Sequence, residues 1–172
     1  MPQLTVDTRE FAEESEKNGL SWWELGPEPK GACMSVEATT RIMKGYFEAL
    51  MNKGDFSEFF TEDVVWTTME TGEEVKGRTE VRDYIVALHT VMFDAHPELH
   101  AFGSADGYAF VEGVFVGTHI GELAGIAPTG AEVRVPYCVA YDVADEGIRA
   151  LRGYLSLQML ITQVQAGSAV HA

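Results

Sequence analysis

Few residues in this sequence have the types and spacing that chemistry requires. His96-Pro97-Glu98-Leu99-His100 sets two imidazoles four positions apart, the separation at which a helix offers two ligands to one zinc ion. Pro97 and the β-rich residues that follow oppose a helix there, and no third ligand accompanies the pair, so the reading is no metal. Gly113, Gly117, Gly121 and Gly125 recur every four residues, which is not the G-x-G-x-x-G spacing of a dinucleotide site. In a strand such glycines mark bends and close approach, so they predict a bent strand entering a loop. There is no G-x-S-x-G nucleophile motif, and neither Cys33 nor Cys138 has a His/Asn framework. What remains is aromatic: Tyr137 and Tyr141 on one apolar run, Trp66 on an earlier one, and Tyr46 on a helix. One buried phenol ordinarily satisfies its hydroxyl against a neighbour. Several converging make a binding site of few polar groups in an apolar wall. His119 closes the glycine-marked run, where a lone histidine more often bonds structurally than catalyses.

The elements that position these residues follow from periodicity. Ser35 is a plausible N-cap for a helix carrying Val36, Ile42, Met43, Tyr46, Phe47, Leu50 and Met51, with Gly54 ending it. A short helical piece over 56–60 leads into a strand at 64–69, and Thr71-Gly72 turns the chain. Thr79 is expected to cap a helix that places Val81, Tyr84, Ile85, Leu88 and Met92 on one side. From Glu98 the period changes from helical to alternating. Asp106-Gly107 predicts a hairpin into a strand at 108–118, and Val133 to Val143 alternate with smaller or polar residues. Asp145-Glu146-Gly147 turns into a last strand predicted over 148–161, with a frayed tail after Gln163. Helices first and long antiparallel strands second predict an α+β fold.

Composition narrows the partners. The chain has 172 residues, 12 Lys+Arg and 27 Asp+Glu, a net charge of -15, so phosphate backbones and anionic membranes are poor partners. With 46% hydrophobic residues, global disorder is excluded and one domain is expected. No apolar run has the length of a membrane span, and no secretory signal follows Met1, so a reducing cytoplasm is the expected setting. Three segments are predicted: an arm over 1–34, the main domain over 35–163 and a flexible tail over 164–172. The adjacent Trp22 and Trp23 predict that the arm straps onto the domain or a partner subunit.

Thr118-His119-Ile120-Gly121-Glu122-Leu123-Ala124-Gly125-Ile126-Ala127-Pro128-Thr129-Gly130 resembles the T-H-x-G-x-x-x-G-x-x-P-T-G stretch of the SnoaL-like polyketide cyclases, within the nuclear-transport-factor-2-like superfamily. The turn at 145–147, the L-x-x-Q at Leu160 to Gln163, the Tyr46-Phe47-Glu48-Ala49-Leu50 helix and the Phe60 to Trp66 strand are similar too. The resemblance implies a cone-shaped, strongly curved antiparallel sheet closed by N-terminal helices around an apolar pocket. It further implies a small apolar organic ligand, a homodimer, and cyclisation, isomerisation or dehydration without a metal or organic cofactor. Binders without chemistry also occur on this fold, and they are the alternative.

The site the resemblance implies is incomplete. The cyclases' catalytic acid lies in a last-strand stretch that reads Arg152-Gly153-Tyr154-Leu155-Ser156 here, with both acidic positions replaced, by Gly153 and Ser156. Abstracting a proton beside a carbonyl needs a base within hydrogen-bond reach and a donor aimed at the forming oxyanion. His119 or Glu70 is then the expected base, and Tyr46 or Tyr137 the expected donor. Trp66, Val139, Tyr141, Gly153 and Leu155 are expected to contact the ligand.

Overall fold

Ser35 starts the first helix because its hydroxyl accepts the otherwise unpaired Ala38 N–H at 3.2 Å, and Glu37 adds negative charge to the first turn. In this computed structural model, which describes residues 34–168, α1 spans Val36–Met51 and buries Thr39, Met43 and Tyr46. Lys53 in the left-handed region (φ 55°) and Gly54, whose N–H reaches Ala49 O at 2.8 Å, end it. A 3-10 turn, Phe56–Phe59, leads into β1 (Phe60–Thr68) and the short β2 (Glu73–Lys76). The second helix, α2, spans Arg78–Val86 and continues as a wider π turn, Ala87–Met92. Its N-cap is Gly77 rather than Thr79, because the chain needs φ 102° there while Gly77 N–H bonds Val64 O at 2.8 Å. Strands β3 (Phe93–Ala95), β4 (Glu98–Ala105), β5 (Tyr108–His119), β6 (Glu132–Ala144) and β7 (Gly147–Leu155) follow, then α3 (Leu157–Ser168).

The strands form one sheet in the order β2-β1-β7-β6-β5-β3, with β4 also paired to β5. The fold is α+β, but the sheet is mixed rather than wholly antiparallel: β1 and β7 run parallel, Trp66 opposite Leu151 and Thr68 opposite Gly153. Hairpins after β5 and β6 return β7 in the direction of β1, which no local pattern encodes. Gly113 and Gly117 allow the crossing of neighbours over β5: a Cβ on Gly117 would lie 3.1 Å from Asp94 O, and one on Gly113 would strike the Glu98 carbonyl.

The last strand stops at Leu155, not near Ile161. Ser156 Oγ accepts Met159 N–H at 3.3 Å, and the Glu70 carboxylate accepts Leu157 N–H, so the chain turns helical at once. Leu160 and Val164, one turn apart, are buried, so residues 164–168 belong to a packed helix rather than a frayed tail. Residues 1–33 of the arm, with Trp22, Trp23 and Cys33, and residues 169–172 lie outside the described residues. Two apolar clusters result. Met43, Phe60, Val64, Val81, Ile148 and Leu151 pack beneath α1 and α2, while Phe93, Phe115, Val133, Val135, Leu160 and Val164 pack against α3. Each such side chain contributes roughly 1.5–3 kcal/mol relative to exposure. Tyr137 touches both clusters.

Candidate functional site

A cavity of about 290 Å³ lies where the helices face the sheet. Helical spacing brings Tyr46 and Phe47 to it from α1 and Ile85 and Leu88 from α2 and its π turn; Phe115 arrives from β5. Alternation on β6 puts Tyr137, Val139 and Tyr141 on one face, and pairing sets them opposite Leu155, Gly153 and Leu151 of β7. The Tyr46 and Tyr141 rings meet at 5.9 Å and 63°. Burial pushes the Tyr137 phenol up to about 12 and raises those of Tyr46 and Tyr141 further above the ordinary phenol range. These hydroxyls therefore stay protonated at neutral pH and act as donors, not as bases. Among the described residues the Tyr137 hydroxyl has no hydrogen-bond partner, so it is available to a ligand oxygen.

Gly153 and Trp66 explain each other. A Cβ on Gly153 would lie 2.6 Å from Trp66 Cζ2 and 3.1 Å from Cη2, so the indole occupies the space where a side chain of that residue would begin. Trp66 Nε1–H donates to Thr68 Oγ1 at 3.2 Å, Thr68 Oγ1 lies 3.4 Å from the Tyr84 hydroxyl, and the Trp66 and Tyr84 rings stand 5.4 Å apart. All four residues line the cavity, so an aromatic wall with a short polar seam stands where the resemblance implied an acid.

The structure does not bring His119 or Glu70 to this cavity. His119 is fully buried at the end of β5, with its ring 5.4 Å from Phe93. Its Nδ1 accepts Thr129 N–H at 3.2 Å and lies 3.0 Å from Thr129 Oγ1, while Gly130 N–H bonds its carbonyl at 3.0 Å. Burial pushes the imidazole below its ordinary value, with the Gly121 backbone opposing. Leu123 and Ile126 close the intervening turn, where Ala124 and Gly125 take φ 50° and 80°. The most recognisable motif of the sequence is thus a loop staple. Glu70 stands exposed in the turn after β1, holding the first N–H of α3. Tyr46, Tyr137, Trp66, Tyr141, Val139, Gly153 and Leu155 do line the cavity together.

Sequence reasoning missed His89, which lines the cavity from the π turn. Its ring meets Phe115 edge-on at 5.7 Å, and Nδ1 lies 2.8 Å from Ile85 O. A carbonyl only accepts, so Nδ1 carries the proton. Burial holds this imidazole below its usual range, with the Ile85 bond opposing. The signal was available: His89 follows Ile85 by four residues and so lies on the same apolar stripe of the helix.

The comparisons agree with this architecture. The family model of the SnoaL-like domain matches residues 43–151, more than half of the chain. A candidate polyketide cyclase from Xanthomonas campestris superposes with a TM-score of 0.66 at 20% identity, over 75% of this chain and 98% of that one. A candidate SnoaL-like polyketide cyclase from Jannaschia sp. CCS1 gives 0.66 at 16% identity, over 81% and 99%. AclR, a candidate hydroxylase from Streptomyces galilaeus, gives 0.63 at 15% identity, over 76% and 87%. Among curated proteins the comparison finds no match. Likeness at these identities shows the fold, and the differing activities named for the neighbours show that the fold leaves the reaction open. With the matched segment running from Met43 in α1 through Leu151 in β7, around the cavity just described, the chain belongs to the SnoaL-like family.

Proposed function

We propose that this protein is a cofactor-independent enzyme that binds a small, largely apolar, oxygenated organic molecule of polyketide-like character. Its reaction class is cyclisation, isomerisation or dehydration. The observation that carries the reading is the pairing of an apolar cavity with the Tyr137 hydroxyl, which has no partner among the described residues and which burial keeps protonated. Apolar walls take the ligand's carbon frame, and Tyr137, with Tyr46 and Tyr141 beside it, donates to a carbonyl or developing enolate oxygen. The chain works as a homodimer in this reading, through the outward sheet face on which Phe110 stands exposed between the buried Ala109 and Val111. Sedimentation at working concentration tests that part.

One observation favours carriage without turnover: the Trp66 indole fills the space at Gly153, where the cyclases have an acid. Binding is the first step of both readings. The probe is 1-tetralone, a bicyclic aromatic ketone, with tetralin as its oxygen-free counterpart. Tyr137→Phe removes one hydrogen bond, so the ketone should bind about 5–10-fold more weakly while tetralin is unaffected. Equal loss for both, or no binding of either to the unaltered protein, would sink the proposal.

A further inference from the structure

A neutral imidazole serves as a base only if its unprotonated nitrogen is known and reachable. At His89 the first condition is fixed locally: Nδ1–H is committed to Ile85 O at 2.8 Å, so Nε2 keeps the lone pair. The second follows from position, since His89 lines the cavity, and among the described residues Nε2 has no hydrogen-bond partner. The π turn over Ala87–Met92 widens the helix at this residue, a geometry often met at functional sites. Phe115 holds the ring edge-on.

We infer that His89 is the base of this cavity, accepting at Nε2 a proton from the carbon beside a carbonyl of the bound molecule. The inference rests on the small-molecule reading above and supplies the proton acceptor that Gly153 lacks. The balance closes without a co-reactant. The C–H bond breaks and its proton forms the Nε2–H bond of an imidazolium. The released electron pair becomes the C=C bond of an enolate, and the carbonyl π pair moves to oxygen, where the Tyr137 O–H donates to it. In a β,γ-unsaturated ketone the enolate is conjugated, and its γ-carbon takes the proton back from Nε2, which isomerises the molecule. With a β-hydroxyl the enolate pair forms the α,β double bond, the C–O bond breaks, and the hydroxyl leaves as water with the Nε2 proton. Depressed basicity keeps His89 neutral, and so competent, through neutral pH. Among the described residues, the titratable groups lining the cavity besides His89 and the tyrosines are Glu73 of β2 and Cys138 of β6, whose thiol burial pushes up.

The test uses the full chain with 1-tetralone in D2O, following loss of the proton signal beside the carbonyl by NMR. The unaltered protein should wash deuterium into that position, at a rate that still holds at pH 6.5, the ordinary imidazole value, and falls only at lower pH. His89→Asn can keep the bond to Ile85 O through its amide N–H while removing the base. It should bind the ketone normally and lose the protein-dependent exchange by at least about a hundredfold, along with the pH step. Exchange retained in His89→Asn would overturn the assignment and point to Glu73 or Cys138. Binding without exchange in the unaltered protein would also overturn it while leaving the ligand reading intact; no binding would overturn both. Should His89→Asn fail to fold, 15N NMR of the native imidazole decides: a protonated Nε2 at neutral pH refutes the inference, and an unprotonated one supports it.

Discussion

Substituting Gly153 by alanine tests whether the Trp66 indole closes that position. Apolar carbons rest about 3.5–4.0 Å apart, so a Cβ at 2.6 Å from Cζ2 forces the ring back by roughly 1 Å. The ring is held by the Thr68 hydroxyl and the Tyr84 face, and the adjoining free volume is the cavity itself. Overpacking of this kind costs about 1–3 kcal/mol. Replacing a strand glycine by alanine returns about 0.5–1 kcal/mol of backbone entropy. The net expectation for Gly153→Ala is a loss of about 0.5–2 kcal/mol in urea unfolding followed by circular dichroism, at unchanged slope. In a Trp66→Phe background the outer indole carbons are gone, so the same change should be neutral or mildly stabilising, a coupling of about 1–3 kcal/mol. Tetralone affinity should fall in Gly153→Ala alone, because the displaced ring takes cavity space. An identical effect in both backgrounds would refute this account of the position. The same clash means that Gly153→Asp will not restore an acid, since its carboxylate would enter an apolar wall already occupied by the indole.

Three further outcomes follow from the placement of the histidines and Glu70. His119→Ala strands the Thr129 N–H and opens space against Phe93, so it should cost about 2–4 kcal/mol in urea unfolding and leave tetralone binding unchanged. The imidazoles of the half-buried His89 and the buried His119 have folded-state values below their unfolded value of 6.5, so their contribution to stability is complete above 6.5 and is lost as pH falls through the folded-state values. Thermal midpoints measured from pH 7.5 down to 5 should therefore decline, and His119→Ala should flatten part of that decline; an unaltered slope would mean that His119 does not titrate in this range. Glu70→Ala removes a cap from α3, which should cost about 0.5–1 kcal/mol while deuterium exchange into tetralone stays intact. Lost exchange in that variant would place Glu70 in the chemistry after all.

Local patterns carried much of this fold. The stripe through Met43 and Tyr46, the alternation from Val133 to Val143, and the turns at Thr71-Gly72, Asp106-Gly107 and Asp145-Glu146-Gly147 each obey a period or a dihedral preference written within a few residues. The same rules hold at two further places: Leu157, Leu160, Ile161 and Val164 have helical spacing, and His89 lies on the stripe of α2. The T-H-x-G stretch was legible as a family mark, but its role was not, because a histidine's function depends on which groups surround it. Thr129 reaches His119 from ten residues away, and Glu70 meets Leu157 across 87 positions.

The sequence by itself determined the α+β class, the face on which Tyr137, Val139 and Tyr141 stand, and the absence of an acid at Gly153, since these are properties of residue type and short-range period. Only the tertiary structure decided that β1 lies parallel to β7, that Trp66 fills the space beside Gly153, and that His89 rather than His119 shares a cavity with the phenols. The physical reason is that a pairing partner, a packing neighbour and a shared void are set by long-range burial, where many strand arrangements satisfy the same local pattern and a single one closes the core.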